Sequence, residues 1–332
     1  MTTLINWIHS AIIYGTVIMF GALGEIMTEK SGHLNLGVPG LMYLGGFAGF
    51  AGAFIYERST DTPSTILLLL IPLLCGFVAA MLGGLLYSFF TVTLRANQNV
   101  TGLALTSLGV GIGTFGSTAL LSVSGSSSYS VVPATNVVYT ANLNSVFGLG
   151  SVGQLLLSYG FLTYAAVILA LFLHWFLAHT RVGLNLRAVG ENPGTADAAG
   201  INVTKYKYVS TCIGGGICGL GGLYYILEYS SGKWSTGNNI EAIGWLAVAL
   251  VIFSTWKPRN AIWASYLFAL LFWMALNLPS LTGLRIKTSV AQLLEMTPYV
   301  VTIIVLIIVS THRKKENQGP ASLGRSYFRE DR

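Results

Sequence analysis

The sequence predicts an all-α protein, a polytopic bundle of about nine membrane-spanning helices (eight to ten) with one short helix in a polar loop. Three observations carry this. Apolar residues make up 53% of the 332 residues, charged residues only 9%, and mean hydropathy is +0.66. A water-soluble domain needs roughly 25% charged residues to cover its surface, so this chain belongs to the membrane class. The apolar residues also fall into long runs, and the basic residues fall into the short segments between those runs.

Taken in order, the runs long enough to cross a bilayer lie near 8–24, 36–56, 65–94, 100–121, 156–178, 208–229, 241–256, 260–277 and 291–311. The 241–256 run is short. The 65–94 run is long and contains Pro72, which predicts a kink, a tilt or an overhang. With the N-terminus outside and the C-terminus inside, 14 of the 18 Lys and Arg residues lie on the inner side. That bias sets the orientation. It also accounts for the net charge of +6 without a nucleic-acid partner.

The most informative polar island is 181–208, on the inner side. Within it Asn192 suits an N-cap, since its side-chain oxygen can accept from first-turn amides. Pro193 suits the first helical position, Ala196, Asp197 and Ala199 continue the turn, and Gly200 suits the residue just past the end. A helix this short is marginal alone, so it is expected to pack on something, and docking on another protein is the expectation.

Other segments are read against their plain alternatives. Gly24 to Gly46 begins charged and passes Asn35, Gly37, Pro39 and Gly40 before an apolar run. Gly and Pro this close interrupt a helix, giving either a cavity-lining break or an ordinary turn before a helix. Arg95 to Thr101 brings Asn97 and Gln98 to an inner turn. These six residues, Asn35, Gly37, Pro39, Gly40, Asn97 and Gln98, are the candidates for a solute pathway. The outer segment 122–155 carries no Asp, Glu, Lys or Arg, and its alternating Val and Tyr suggest a short ordered cap or strand pair, against plain disorder. The tail 312–332 is charged and contains Gly, Pro and Ser, which predicts a flexible end. Glycines spaced four apart, such as Gly45 and Gly49, predict close helix packing.

Catalytic and cofactor signatures are weak. Gly111, Gly113 and Gly116 match a dinucleotide fingerprint only formally, inside an apolar run. Gly148 to Gly153 has phosphate-loop spacing, but Gln154 stands where lysine is needed. The five histidines are scattered, and none pairs at metal-ligand spacing. Cys75, Cys212 and Cys218 read as small packing residues. Glu228, Glu241 and Glu295 sit near span ends, where water reaches a carboxylate. Five tryptophans between Trp234 and Trp273 read first as an interfacial belt. No catalytic residue, metal or cofactor is expected, and no ATP site of the chain's own.

Three segments, GEIMTEKSGHLNLGVPGLMYLGG, ANQNVTGLAL and RAVGENPGTADAAGIN, together resemble the permease subunits of ABC importers in the branched-chain amino acid/ribose-type family. Within it they look most like the subgroup that imports nucleosides. The resemblance implies a non-enzymatic permease domain over 1–311 in a bacterial plasma membrane. It implies three partners besides lipid: a cytoplasmic ABC ATPase subunit, a second related permease forming a heterodimer, and an external substrate-binding lipoprotein. The helix around Asn192–Ala199 would be the coupling helix, with Gly190, Glu191, Asn192, Pro193, Ala196, Asp197, Ala199 and Gly200 as its residues. A sugar or branched-chain amino acid permease is the nearest alternative, and a stand-alone carrier or channel the next.

Overall fold

The computed structural model describes residues 2–124, 129–142, 153, 155–235, 239–282, 296, 300–301, 303–304, 307 and 318–328. The elements are α1 (Thr2–Glu29), α2 (Val38–Ser59), α3 (Thr65–Ser88), α4 (Gln98–Ser124), β1 (Tyr129–Val131), α5 (Pro133–Tyr139), α6 (Phe161–His179), α7 (Arg181–Glu191), α8 (Pro193–Ala198), α9 (Val203–Tyr224), β2 (Lys233–Ser235), α10 (Ile240–Phe253) and α11 (Pro258–Thr282). Helices α3 and α9 each run on into a five-residue π-turn, Phe89–Thr93 and Tyr225–Tyr229.

Four helices make the centre: α9 packs extensively on α1, α2 and α3, and α2 packs on α3. The reason is local sequence. In lipid, helices gain little from apolar burial and associate where small residues let backbones come close. The glycines of α9 supply such a face against α2 and α3. A Cβ on Gly76 of α3 would stand 2.9 Å from the Gly45 carbonyl oxygen of α2, and Gly45 in turn lies against Gly219 of α9. The spacing of Gly45 and Gly219 therefore reports a three-helix contact with no room for side chains.

Burial separates the spans. The membrane-length windows of α1 and α9 are 89% and 78% buried, whereas those of α3, α4 and α6 are 28%, 28% and 33% buried. The outer faces of the latter carry exposed Ile66, Leu74, Leu82, Phe115, Ile168 and Trp175. An apolar surface of this extent fits hydrocarbon or another membrane subunit.

The expected count of nine spans is matched in part. Among the described residues six helices are long and apolar enough to cross a membrane: Ile5–Glu29, Val38–Ser59, Thr65–Thr93, Gln98–Leu120, Phe161–His179 and Val203–Tyr229. The 241–256 run is the 14-residue α10. At 1.5 Å per residue it reaches about 21 Å, short of a hydrocarbon core of about 30 Å. The 260–277 run lies within α11, and most of 291–311 lies outside the described residues. The first span also runs five residues beyond its expected end, to Glu29, so Glu25 and Glu29 are buried helical residues. Glu228, expected within reach of water, is only 8% exposed.

The 122–155 segment is partly described. Its strand β1 pairs antiparallel with β2, Ser130 opposite Trp234, so the partner comes from the far side of α9 and not from within the segment. Trp234 is 1% exposed and packs among Tyr43, Phe47 and Phe50, so it is a core residue and not part of a belt. The formal fingerprint glycines Gly113 and Gly116 lie against the Tyr43 and Phe47 rings, as packing glycines do. The phosphate-loop-like run 148–153 lies outside the described residues except for Gly153.

Candidate functional site

The polar end of the bundle gathers the loop 30–37, the turn 94–97, the helices α7 and α8, the start of α9 and the tail 318–328. Each piece follows from its sequence.

The α7–α8 pair replaces the single short helix expected in 181–208. Thr180 caps α7, its hydroxyl oxygen accepting from the Gly183 amide at 3.0 Å. Gly183, Leu186, Val189 and Gly190 form the buried face. That spacing of three and four was the available signal for α7, obscured by the polar residues between. Asn192 then ends α7 and caps α8, its Oδ1 accepting from the Thr195 amide at 3.0 Å. Pro193 occupies the first turn, where no amide partner is needed. The other end closes as a full Schellman motif: Ile201 N–H donates to the Ala196 carbonyl and Gly200 N–H to the Asp197 carbonyl, both at 3.0 Å. Gly200 carries the left-handed φ of +82° that this motif requires. Ile201 folds back onto a small core of Val189, Ala196 and Val203.

The result is a six-residue helix with both ends satisfied and one face buried through Ala196. Asn192, Thr195, Ala198, Ala199 and Gly200 are exposed, as is Glu191 before them. Gly190 differs. It is buried against the Lys30 backbone, and its carbonyl accepts from the Ser322 hydroxyl at 2.6 Å and the Ser322 amide at 3.1 Å. It serves packing inside the chain.

The loop 30–37 is built in the opposite way. Ser31, His33 and Asn35 are all buried. Leu34 N–H donates to Gln98 Oε1 at 2.8 Å, and the Tyr87 hydroxyl donates to the Leu34 carbonyl at 2.7 Å. Asn35 N–H donates to Glu25 Oε1 at 3.0 Å, and Asn35 Oδ1 accepts from the Gly37 amide at 2.9 Å. Thr106 donates to the Leu36 carbonyl at 3.0 Å, and His33 Nδ1 pairs with Thr211 Oγ1 at 3.0 Å. Glu29 accepts from the Trp256 indole. Burial, and the nearby positive charge of Lys207, push the His33 imidazole well below its usual range, which leaves it neutral at pH 7.

Of the six pathway candidates, Asn35 and Gly37 thus form a side-chain-to-backbone turn. Pro39 opens the first turn of α2, and Gly40 lies against the α4 backbone at Leu105 and Thr106. Asn97 accepts from the Val100 amide at 3.2 Å and so caps the start of α4. Gln98, 3% exposed, bridges Leu34 to the tail by donating to the Arg325 carbonyl at 3.3 Å. Each of these contacts is structural.

The tail 312–332 was expected to be flexible, and 318–328 of it are described. Residues 318–328 instead lie across the polar end. Gly324 N–H donates to the Gly32 carbonyl at 3.2 Å, Tyr327 donates to Asp197 Oδ2 at 2.9 Å, and the Arg95 guanidinium lies 4.8 Å from the centre of the Phe328 ring. Ser322 and Tyr327 were not singled out by sequence reasoning, because composition reports a segment's polarity and not whether a complementary groove awaits it.

The chain matches, over residues 7–310, the family described as "Branched-chain amino acid transport system / permease component", and it belongs to that family of multi-pass membrane permeases. Its individual relatives sharpen the comparison. It is 31% identical to the nucleoside ABC transporter permease protein NupC of Lactococcus lactis, over 91% of each chain. It is 28% identical to the guanosine ABC transporter permease protein NupQ of Bacillus subtilis, over 90% of each chain. A Haloferax volcanii protein, whose name assigns it provisionally to a glucose ABC transporter as the permease TsgC13, is 30% identical over 97% of each chain.

Proposed function

We propose that this chain is the membrane-spanning subunit of an ATP-driven ABC importer for nucleosides, and that α8 is the element that presses on a separate ATPase subunit. One observation carries the reading: α8 is a short helix satisfied at both ends and anchored through Ala196, while Asn192, Thr195, Ala198 and Ala199 face outward. A helix held this firmly by so little chain behaves as a rigid knob. It can pass rigid-body motion from a partner into α7 and α9, and so to the spans. Energy enters from the partner, and the permease contributes alternating access and no chemistry of its own.

In this reading the polar end faces the cytoplasm and the N-terminus faces outward, in a bacterial plasma membrane. The sparsely buried faces of α3, α4 and α6 are divided between lipid and a second, related permease. A substrate-binding lipoprotein delivers solute at the opposite end. The nucleoside assignment is supported by the likeness to NupC and NupQ. A sugar is the second reading, favoured by the 30% identity to the Haloferax volcanii relative.

Uptake of labelled purine and pyrimidine nucleosides, by cells carrying all partner subunits and with glucose and leucine as competitors, tests the substrate. Competition by glucose with no nucleoside uptake would replace nucleosides by a sugar. Replacing Asn192 and Pro193 together by Ala removes the cap and the preset first turn. The N-cap alone is worth about 1 kcal/mol. The expected outcome is normal membrane insertion with uptake uncoupled from ATP hydrolysis, and normal uptake would refute the role given to α8.

A further inference from the structure

Beside α8, at the same polar end, lies a cavity of about 660 Å³. Its walls come from the π-turn after α3, the turn that follows it, the α8–α9 junction, the first turns of α9 and Tyr327 of the tail. A volume of this size suits a small ligand. Its charge is one-sided. Among the described residues Arg95, Lys205 and Lys207 line it, against one carboxylate, Asp197, whose Oδ2 already accepts from Tyr327 at 2.9 Å.

Lys207 is the decisive residue. The residue is 3% exposed, it lines the cavity, and among the described residues no hydrogen bond or ion pair to its ammonium is found, so the head group is held away from bulk water and opens only on that cavity. Buried ammonium groups are ordinarily paired, because removing the charge from water is costly and only a counter-charge offsets it. Its backbone is fixed: the Lys207 carbonyl accepts from Ser210 at 3.0 Å and from Thr211 at 2.9 Å, and Thr211 is tied to His33. His33, on the same wall, has its pKa lowered by burial and by the positive charge of Lys207, so it adds no second positive charge there. Thr204, in the first turn of α9, also lines the cavity, and the positive end of that 22-residue helix adds to the field.

We infer that this cavity is an anion site that takes a phosphate-bearing group, with Lys207 as its buried cation and Arg95 and Lys205 closing over it from the rim. A tetrahedral phosphate answers three separated donors better than a planar carboxylate, and arginine binds it through two parallel N–H groups. The group arrives either as a soluble phosphate compound or as the headgroup of an anionic lipid. The inference does not depend on the transport reading, because it concerns binding to this chain and is measured on this chain.

The test follows thermal unfolding of the purified full-length chain by tryptophan fluorescence. Inorganic phosphate is titrated against chloride at constant ionic strength, in neutral detergent. In a parallel arm the chain is placed in vesicles of phosphatidylcholine with or without phosphatidylglycerol. Saturable stabilisation by phosphate, or stabilisation by phosphatidylglycerol alone, supports the site and tells its soluble source from its lipid source. Lys207→Met is expected to raise the unfolding temperature without anion, since it removes an unpaired buried charge. It should also weaken the anion response about tenfold or more. Arg95→Gln, at an exposed position, keeps the test open if Lys207→Met fails to fold, and it should weaken the response in the same direction. An unresponsive wild type, or an equal response in both variants, overturns the inference. So does protection of Lys207 from acetylation only when the ATPase subunit is added, which would give the cavity to an acidic protein segment.

Discussion

The loop between α1 and α2 and the segment between α7 and α9 are both short, polar and marked by glycine, and the fold uses them in opposite ways. In the loop, Leu34, Asn35 and Gly37 direct their amides to side chains of α4, α1 and the loop itself, and the side chains of Ser31, His33 and Asn35 are buried. In the segment, α8 is closed by Asn192 and Gly200 from within, and most of its polar surface stays outside. Polar residues that are buried and paired within the chain fix a frame. Polar residues around a self-sufficient, exposed helix are left for something else to touch. Under the proposed function the difference separates a joint from a handle, although both segments look alike in composition.

This contrast can be broken in graded steps. The largest effect is expected from Ala199→Glu on the exposed face of α8. Uptake should fall about tenfold or more, while thermal stability stays within about 0.5 kcal/mol of the parent, as for other surface changes. Equal loss of stability and uptake in that variant would make α8 part of the frame. Gln98→Ala is the converse. It strands the partly buried Leu34 amide and should cost about 1 kcal/mol. Uptake per folded molecule, measured against the folded fraction from size-exclusion chromatography, should hold steady.

Gly200→Ala comes next. A Cβ meets nothing within 4 Å there, so the cost is the left-handed backbone alone, about 1 kcal/mol, read as a lowered unfolding temperature. Tyr327→Phe removes the tail's bond to Asp197 and should cost a similar amount, about 1 kcal/mol, with faster proteolysis of the C-terminal segment as the sensitive readout.

A pH dependence is expected at Lys30, which lies where the two regions meet. Burial, together with Arg187 and Lys257, brings its pKa down to about 8, with Glu191 and Glu29 opposing. A base whose folded pKa is depressed binds fewer protons folded than unfolded between the two values. Its contribution to stability therefore rises with pH from about 8 to about 10.4. Lys30→Gln removes the titration. The stability advantage of that variant over the parent, largest at pH 7.5, should shrink by pH 9.5.

How much of this was legible in the chain depends on range. The Asn192–Pro193 start and the Gly200 end of α8 were readable, because caps act within four residues and residue type alone decides them. The membrane class was readable for the same kind of reason, since hydrocarbon sets composition directly. Helix α7 was missed, because its buried stripe of Gly183, Leu186, Val189 and Gly190 is narrow and interrupted by exposed Val182 and Leu184. The pathway candidates 35–40 and 97–98 were found as a cluster of unusual residues. The bonds of Asn35 to Glu25 and of Gln98 to Leu34 and Arg325 join positions 10 to 227 residues apart, and no local rule pairs them.

By itself, then, the sequence determined the membrane bundle, the glycine faces on which its helices meet, the basic end and the two caps of α8. Each depends on side-chain chemistry over a few neighbours or on transfer into lipid. Only the tertiary structure decided that Glu25, Glu29 and Glu228 are enclosed, that the tail closes over Gly190 and Asp197, and that Lys207 lies buried in the wall of a cavity it shares with Arg95 and Lys205. Those outcomes depend on which distant surfaces come within hydrogen-bond reach, and that is settled when α1, α3, α4 and α9 pack together.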